Sequence, residues 1–207
     1  MVSDAPAREV QFASEGETLR AALYGTLPAK RAAILCHGQS WDASGWRDIA
    51  PQLVARGVPA LAINFRGYAG STGTTGKWTT VTDLAAAKAW LKRGGANEIA
   101  LVGASMGGHA VLGSSFEGDV ESVVSISAPV EPVEDALSKK VSGRKLFICA
   151  NEDRMGAAPH VLRTFDLCDT PKTLLMVGAT EHSIGMFHAP YGAEVIAAIL
   201  DFVAGRR

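Results

Sequence analysis

Apolar residues in this chain fall into short runs bounded by turn formers, and these runs alternate with longer segments where apolar positions recur every three or four residues. Residues 10–13 and 18–25 form two short apolar stretches joined by Ser14-Glu15-Gly16-Glu17, which reads as a hairpin with glycine in its turn. From there the pattern predicts strand 32–36, helix 45–56, strand 59–64, helix 80–92, strand 99–103 and helix 106–116. It continues with strand 120–127, a short helix near 133–139, strand 145–150, helix 157–167, strand 172–177 and helix 191–204. Strands alternating with helices imply a mostly parallel sheet of about eight strands, opened by the antiparallel hairpin and covered by helices on both faces. The runs Ala33-Ile34-Leu35-Cys36, Leu146-Phe147-Ile148-Cys149-Ala150 and Thr173-Leu174-Leu175-Met176-Val177 show no alternation, as expected of strands buried on both sides. Pro59 stands at the start of its strand, where a missing N–H costs little.

Length and composition fit one domain spanning residues 1–207, with residues 1–8 read as a flexible tail. The chain has 207 residues, 47% of them hydrophobic, enough for a continuous core. Twenty basic residues against twenty-one acidic ones give a net charge of −1, so no global field favours nucleic acid or an anionic membrane. Cys36, Cys149 and Cys168 are widely spaced and odd in number, and they form neither a metal-ligand pattern nor a disulfide framework. The first residues lack the basic start and apolar core of an export signal, and no apolar run approaches the roughly 20 residues needed to cross a bilayer. The expectation is a cytoplasmic monomer or homodimer acting on a small molecule, with no metal and no organic cofactor, since neither a Cys/His cluster nor a phosphate-binding glycine loop is present.

Residues 97–108 carry the most chemistry. The apolar run Ile99-Ala100-Leu101-Val102 leads directly into Gly103-Ala104-Ser105-Met106-Gly107, and a helix-compatible segment follows. This is the sequence form of a nucleophile elbow, in which a serine at the tip of a sharp strand-to-helix turn stands clear of the sheet. Gly103 and Gly107 lie two residues either side of Ser105, where a β-carbon would collide with the neighbouring strand or helix. The helix that starts at Met106 presents unpaired N–H groups and the positive end of its dipole to a developing oxyanion. A serine hydroxyl is a weak nucleophile until a base takes its proton, and that base needs a third group to orient it. Ligands of such sheets bind beyond the carboxyl ends of the strands. That rim gathers His37-Gly38-Gln39-Ser40, Phe65-Arg66-Gly67, Ser105, Asn151-Glu152-Asp153 and Gly178-Ala179-Thr180-Glu181-His182, so a serine, an acid and a histidine share it.

The order of serine, acid and histidine, each on a loop after a successive strand, resembles the α/β-hydrolase superfamily over residues 10–204. The resemblance also takes in the opening hairpin, the His37-Gly38 pair, Arg66-Gly67-Tyr68-Ala69-Gly70-Ser71 and the elbow. It implies Ser105 as nucleophile, His182 as general base and then acid, Asp153 as the group orienting His182, and the N–H groups of Gln39 and Met106 as the oxyanion hole. Glu152 is the reserve for the acid, because Ala150 stands where the family usually has glycine. His188 is the reserve for the histidine. A second departure is Asn64, where many relatives carry Asp. Relatives with a cap domain insert it after the sixth strand; here residues 128–144 provide 17 positions, too few for one. The expected site is therefore open, with Trp41, Met186 and Phe187 as candidate substrate-binding residues and Trp46 either walling the pocket or packing the first helix onto the sheet. The implied activity is hydrolysis of small to medium carboxylic esters. An acyltransferase, perhydrolase or thioesterase using the same three residues, and a non-catalytic small-ligand-binding protein, are the alternatives.

Overall fold

The computed structural model describes residues 7–76, 78–116, 118–128 and 139–205. The helix expected near 133–139 falls almost wholly outside the described residues, as do residues 1–6 of the expected tail; Arg8, within that tail, already belongs to the first strand. The strands are β1 (Arg8–Ser14), β2 (Glu17–Tyr24), β3 (Ala29–Cys36), β4 (Ala60–Ile63), β5 (Ala96–Ala104), β6 (Ser122–Ile126), β7 (Arg144–Ala150) and β8 (Lys172–Val177). They form one sheet in the order β1-β2-β4-β3-β5-β6-β7-β8. β1 and β2 pair antiparallel, as do β2 and β4, and every later pairing is parallel.

Each parallel strand turns successive side chains to opposite faces, and each face is sealed by its own helices. Along β3, Ile34 and Cys36 enter one core with Leu84, Ala87 and Leu91 of α2 (Thr79–Arg93), Val111 of α3 (Met106–Gly113) and Val161 of α4 (Ala157–Leu167). Ala33 and Leu35 enter the other with Leu53 of α1 (Ala50–Val54) and Val195, Ile199 and Val203 of α5 (Gly192–Ala204). The register sets Cys36 of β3 beside Gly103 of β5, Ala104 beside Ile126 of β6, and Ile126 beside Ile148 of β7. The carboxyl ends of four central strands thereby reach one rim within a residue or two of each other.

Three expectations are corrected. The helix expected over 45–56 is broken into a 3-10 turn, Ala43–Trp46, and the short α1, because Pro51 cannot donate and so is tolerated only in the first turn of a helix. The strand expected to run to residue 127 stops at Ile126, since Ser127 takes a left-handed backbone with φ 47°. β8 was expected to be buried on both faces; it has only β7 as a neighbour, and its apolar residues are half-buried at the sheet edge. The three cysteines are buried and form no disulfide among the described residues.

The turn after β4 is anchored by a buried ion pair. Asp83 of α2, with no exposure at all, accepts from the Arg66 N–H (2.9 Å), from Arg66 Nε (2.9 Å) and Nη2 (2.7 Å), and from the Ser14 hydroxyl (2.8 Å). Both oxygens of the carboxylate are thus engaged, and its charge is paired with the guanidinium, the conditions under which a buried charge is tolerated. Removing it strands the Arg66 guanidinium in the interior, so Asp83→Ala is expected to lower stability by about 3–5 kcal/mol, measured by urea unfolding.

Candidate active site

Ser105 sits at the tip of the turn from β5 to α3 with φ 54° and ψ −113°, a conformation that L-residues avoid. The turn is possible only because its flanks lack side chains. A β-carbon on Gly103 would stand 2.1 Å from the Gly107 carbonyl oxygen, and one on Gly107 would stand 2.2 Å from the Cys36 carbonyl oxygen. The backbone of α3 therefore rests directly on the ends of β3 and β5. The Ser105 N–H donates to Ile126 O (2.8 Å), which fixes the tip against β6.

The fold brings Ser105, His182 and Asp153 together. Asp153 lies three residues beyond β7, and its carboxylate accepts the backbone N–H of Met155 (2.9 Å) and of Ala157 at the start of α4 (3.4 Å). Both its oxygens lie 2.9 Å from His182 Nδ1. A carboxylate there selects the tautomer in which Nδ1 carries the proton, leaving Nε2 to accept from the Ser105 hydroxyl at 2.9 Å. The Asp153 side chain is fully buried and that of His182 is 13% exposed, so the acid is shielded while the ring edge reaches the cleft. Glu152 is exposed, donates its N–H to Ala179 O (3.1 Å), and makes no contact with His182 among the described residues. His188 ends the 3-10 helix Ser183–His188 and is exposed; it does not reach Ser105.

The loop after β3 is held over the serine from below. Phe65 N–H donates to His37 Nε2 (3.2 Å), so Nδ1 carries the ring proton and donates to Gly38 O (2.8 Å). Gly38 O also accepts from Trp41 N–H (3.0 Å). In a trans peptide the C=O and N–H point in opposite directions, so anchoring the Gly38 carbonyl turns the Gln39 N–H the other way. A β-carbon on Gly38 would lie 3.3 Å from that of Ser105. The His37 ring is packed edge-on against Phe65 and Tyr68, and burial holds its pKa below the ordinary 6.5, favouring the neutral form that this bonding requires. Met106 is the first residue of α3, where N–H groups have no partner within the helix.

Beside the serine lies a cavity of about 230 Å³ lined by Gly38, Gln39, Trp41, Ser105, Met155 and His182, among others. Trp41 is 46% exposed there, consistent with its expected place. Met186 and Phe187 are corrected: the 3-10 winding of Ser183–His188 turns Met186 fully into the core and packs Phe187 on Trp46 with ring centroids 6.0 Å apart, leaving Ser183 and Gly185 at the cavity. Trp46 is fully buried. A second cavity of about 360 Å³ lies across Trp41, lined also by Asp42, Tyr68 and Ala69.

Sequence reasoning passed over several supporting residues. Asn64 Oδ1 accepts from Ala43 N–H (2.7 Å) and so ties down the loop that carries Gln39; its departure from the family pattern was visible, its use was not. Ser183, with φ 61°, donates its N–H to Ser127 Oγ (3.1 Å), fastening the histidine loop to the end of β6. Cys149 lies beneath Asp153, its sulfur 3.9 Å from Oδ2; burial and the adjacent carboxylate push its thiol up to about 11, so it stays protonated. Arg154 and Met155 stand on the cavity wall.

A family model described as the alpha/beta hydrolase family matches residues 33–202. Similar solved structures include the esterase Pf2001 of Pyrococcus furiosus, 17% identical with a TM-score of 0.83 over 97% of this chain and 92% of that one. The alpha/beta hydrolase GrgF from Penicillium sp. sh18 is 16% identical with a TM-score of 0.85, covering 97% and 99%. XC6422 from Xanthomonas campestris, described as an a/b serine hydrolase without lid, is 18% identical with a TM-score of 0.80, covering 99% and 96%. Among curated proteins none matches.

Two outcomes are expected. Because Gly tolerates the Ser105 backbone and Ala does not, Ser105→Gly should be more stable than Ser105→Ala by about 1–2 kcal/mol in chemical denaturation. His37 titrates near 6.5 when unfolded and lower when folded, so between the two values the unfolded chain binds more protons. Its contribution is complete above pH 6.5 and is lost as pH falls through the folded value; urea unfolding from pH 8 to 5 should show this decline, and His37→Gln should flatten it.

Proposed function

The chain belongs to the alpha/beta hydrolase family, and from that premise we propose that it is a serine hydrolase cleaving small to medium carboxylic esters through an acyl-enzyme. The observation that carries this reading is the unbroken line from Asp153 through His182 to Ser105, with both links 2.9 Å long, ending on a strained serine that faces a cavity. A neighbour named as an esterase and another named as a lidless serine hydrolase share the fold and agree with it.

In this reading His182 Nε2 takes the Ser105 proton as Oγ bonds to the ester carbonyl carbon, and the carbonyl π pair moves onto its oxygen. That oxyanion meets the N–H groups of Met106 and Gln39, the first unpaired by its position in α3 and the second aimed by the anchored Gly38 carbonyl. Asp153 stabilises the imidazolium and holds its orientation. The oxyanion then collapses, the alkoxide leaves with the proton from His182, and water repeats the sequence to release acid and free serine. A cavity of about 230 Å³ suits short acyl groups.

Ser105→Ala and His182→Ala are each expected to lower kcat on p-nitrophenyl butyrate by about 10⁴-fold or more, and Asp153→Asn by about 10⁴-fold. Fluorophosphonate labelling that maps to Ser105 and disappears in Ser105→Ala is the direct check. Labelling elsewhere, or full activity in any of the three variants, overturns the assignment.

A further inference from the structure

The cavity beside Ser105 is lined by ten residues, of which Arg154 alone is a lysine or arginine and none is Asp or Glu. Arg154 follows Asp153 directly, and the bonds that hold the acid also hold its neighbour. Arg154 N–H donates to Thr180 O (3.0 Å), Gly156 N–H donates to Asp153 O (2.8 Å), and the Asp153 carboxylate accepts from Met155 N–H. The backbone at Arg154 is therefore fixed to the loop that carries His182 and by its own turn, and Arg154 stands on the wall of the reaction cavity.

Among the described residues the Arg154 guanidinium makes no ion pair within 4.0 Å, unlike those at positions 20, 31, 56, 66 and 144. The acid that feels its charge is Glu181, and Glu181 is engaged elsewhere: it accepts the Tyr191 hydroxyl at 2.6 Å and the Thr180 N–H at 3.3 Å. Asp42, the acid near the other side of Trp41, accepts from Ser44 N–H and lines the adjoining cavity. Met155, 66% exposed, and Trp41, 46% exposed, are apolar groups on the same cavity, able to shield a bound anion from water and strengthen its attraction to the cation.

We infer that Arg154 is a specificity-determining residue and that the esters turned over best carry a free carboxylate, placed on the acyl or the alcohol part a few bonds from the scissile carbonyl. Monoesters of dicarboxylic acids and acyl esters of hydroxy acids are the two sources of that chemistry. The planar guanidinium suits a carboxylate because its paired N–H donors match the two oxygens, a fit that lysine lacks. This inference rests on the serine hydrolase reading above.

The test uses the full chain and two matched pairs: 4-nitrophenyl hydrogen adipate against methyl 4-nitrophenyl adipate, and 3-acetoxybenzoate against methyl 3-acetoxybenzoate. The parent is expected to favour the anionic member of at least one pair by about tenfold in kcat/KM, mostly through KM, and the preference should shrink as salt is raised. The pair that responds identifies the source. In Arg154→Gln the anionic-to-neutral ratio should fall to about one, Arg154→Lys should retain part of it, and Glu181→Gln, which removes a competing charge, should widen it. No preference in either pair, or an equal loss on both members in Arg154→Gln, overturns the role of Arg154. If neutral esters are still cleaved by Ser105→Ala, it is the serine hydrolase reading that fails, and the two failures are thereby told apart.

Discussion

The site depends on a close approach of main chain to main chain between α3 and the ends of β3 and β5. α3 leaves the sheet so abruptly that Gly107 lies under the Cys36 carbonyl and Gly103 lies against Gly107, with no space for a side chain at either position. Close packing of main chain on main chain carries the strain at Ser105 without letting it relax, because neither the strand nor the helix can withdraw without opening the buried core on both sides of β3 and β5. The strained position of the serine is thus a consequence of how β3, β5 and α3 pack, and not of local preference at residue 105.

Around that point the functional loops are fixed by hydrogen bonds, each from a different part of the chain. His37 reads the Phe65 N–H with one nitrogen and the Gly38 carbonyl with the other. Asn64 holds Ala43, and Asp83 in the N-terminal part of α2 holds Arg66. Ser127 receives the Ser183 N–H, so the loop carrying His182 is tied to the end of β6. Rigid support of this kind keeps reacting groups within a fraction of an ångström of a productive geometry, which loops alone do not achieve. The neutral state of His37 belongs to the same design, since a charged ring could not accept from Phe65.

Asp153 serves two contacts at once. Its buried carboxylate accepts from the backbone N–H of Met155 and of Ala157, the first residue of α4, and from His182. The same turn places Arg154 on the cavity wall, so the residue bonded to the histidine and the residue proposed to offer a cation to an incoming ester are consecutive in the chain. In the proposed reaction, catalysis and substrate selection are coupled through that one short loop.

Much of this was legible beforehand, for physical reasons that act locally. Alternation of apolar runs with three-to-four periodic segments reflects burial of strands on both faces, and it predicted the succession of strands and helices along the chain and a mostly parallel sheet; the order of strands in the sheet came from the structure. Gly-x-Ser-x-Gly after a strand is a steric signature, and the acid and histidine followed from the rule that active groups gather at the carboxyl ends of strands. What the pattern left open was decided by tertiary packing. Pro51 split a helix whose apolar spacing looked continuous, and the edge position of β8 left it half-buried although its residues read like a central strand. In the sequence Asp153 is preferred to Glu152 only through the family resemblance; it is the turn after β7 that sets Asp153 against His182 and leaves Glu152 exposed. Met186 and Phe187 looked like pocket residues because they follow the histidine, but the 3-10 winding of that segment buries Met186 in the core and packs the partly buried Phe187 on Trp46. Identity and order of the chemical groups are properties of the chain itself, set by covalent connectivity and steric size. Which side chain faces the cavity is a matter of rotation about elements whose positions are fixed by contacts from distant parts of the chain, and it exists only once those contacts have formed.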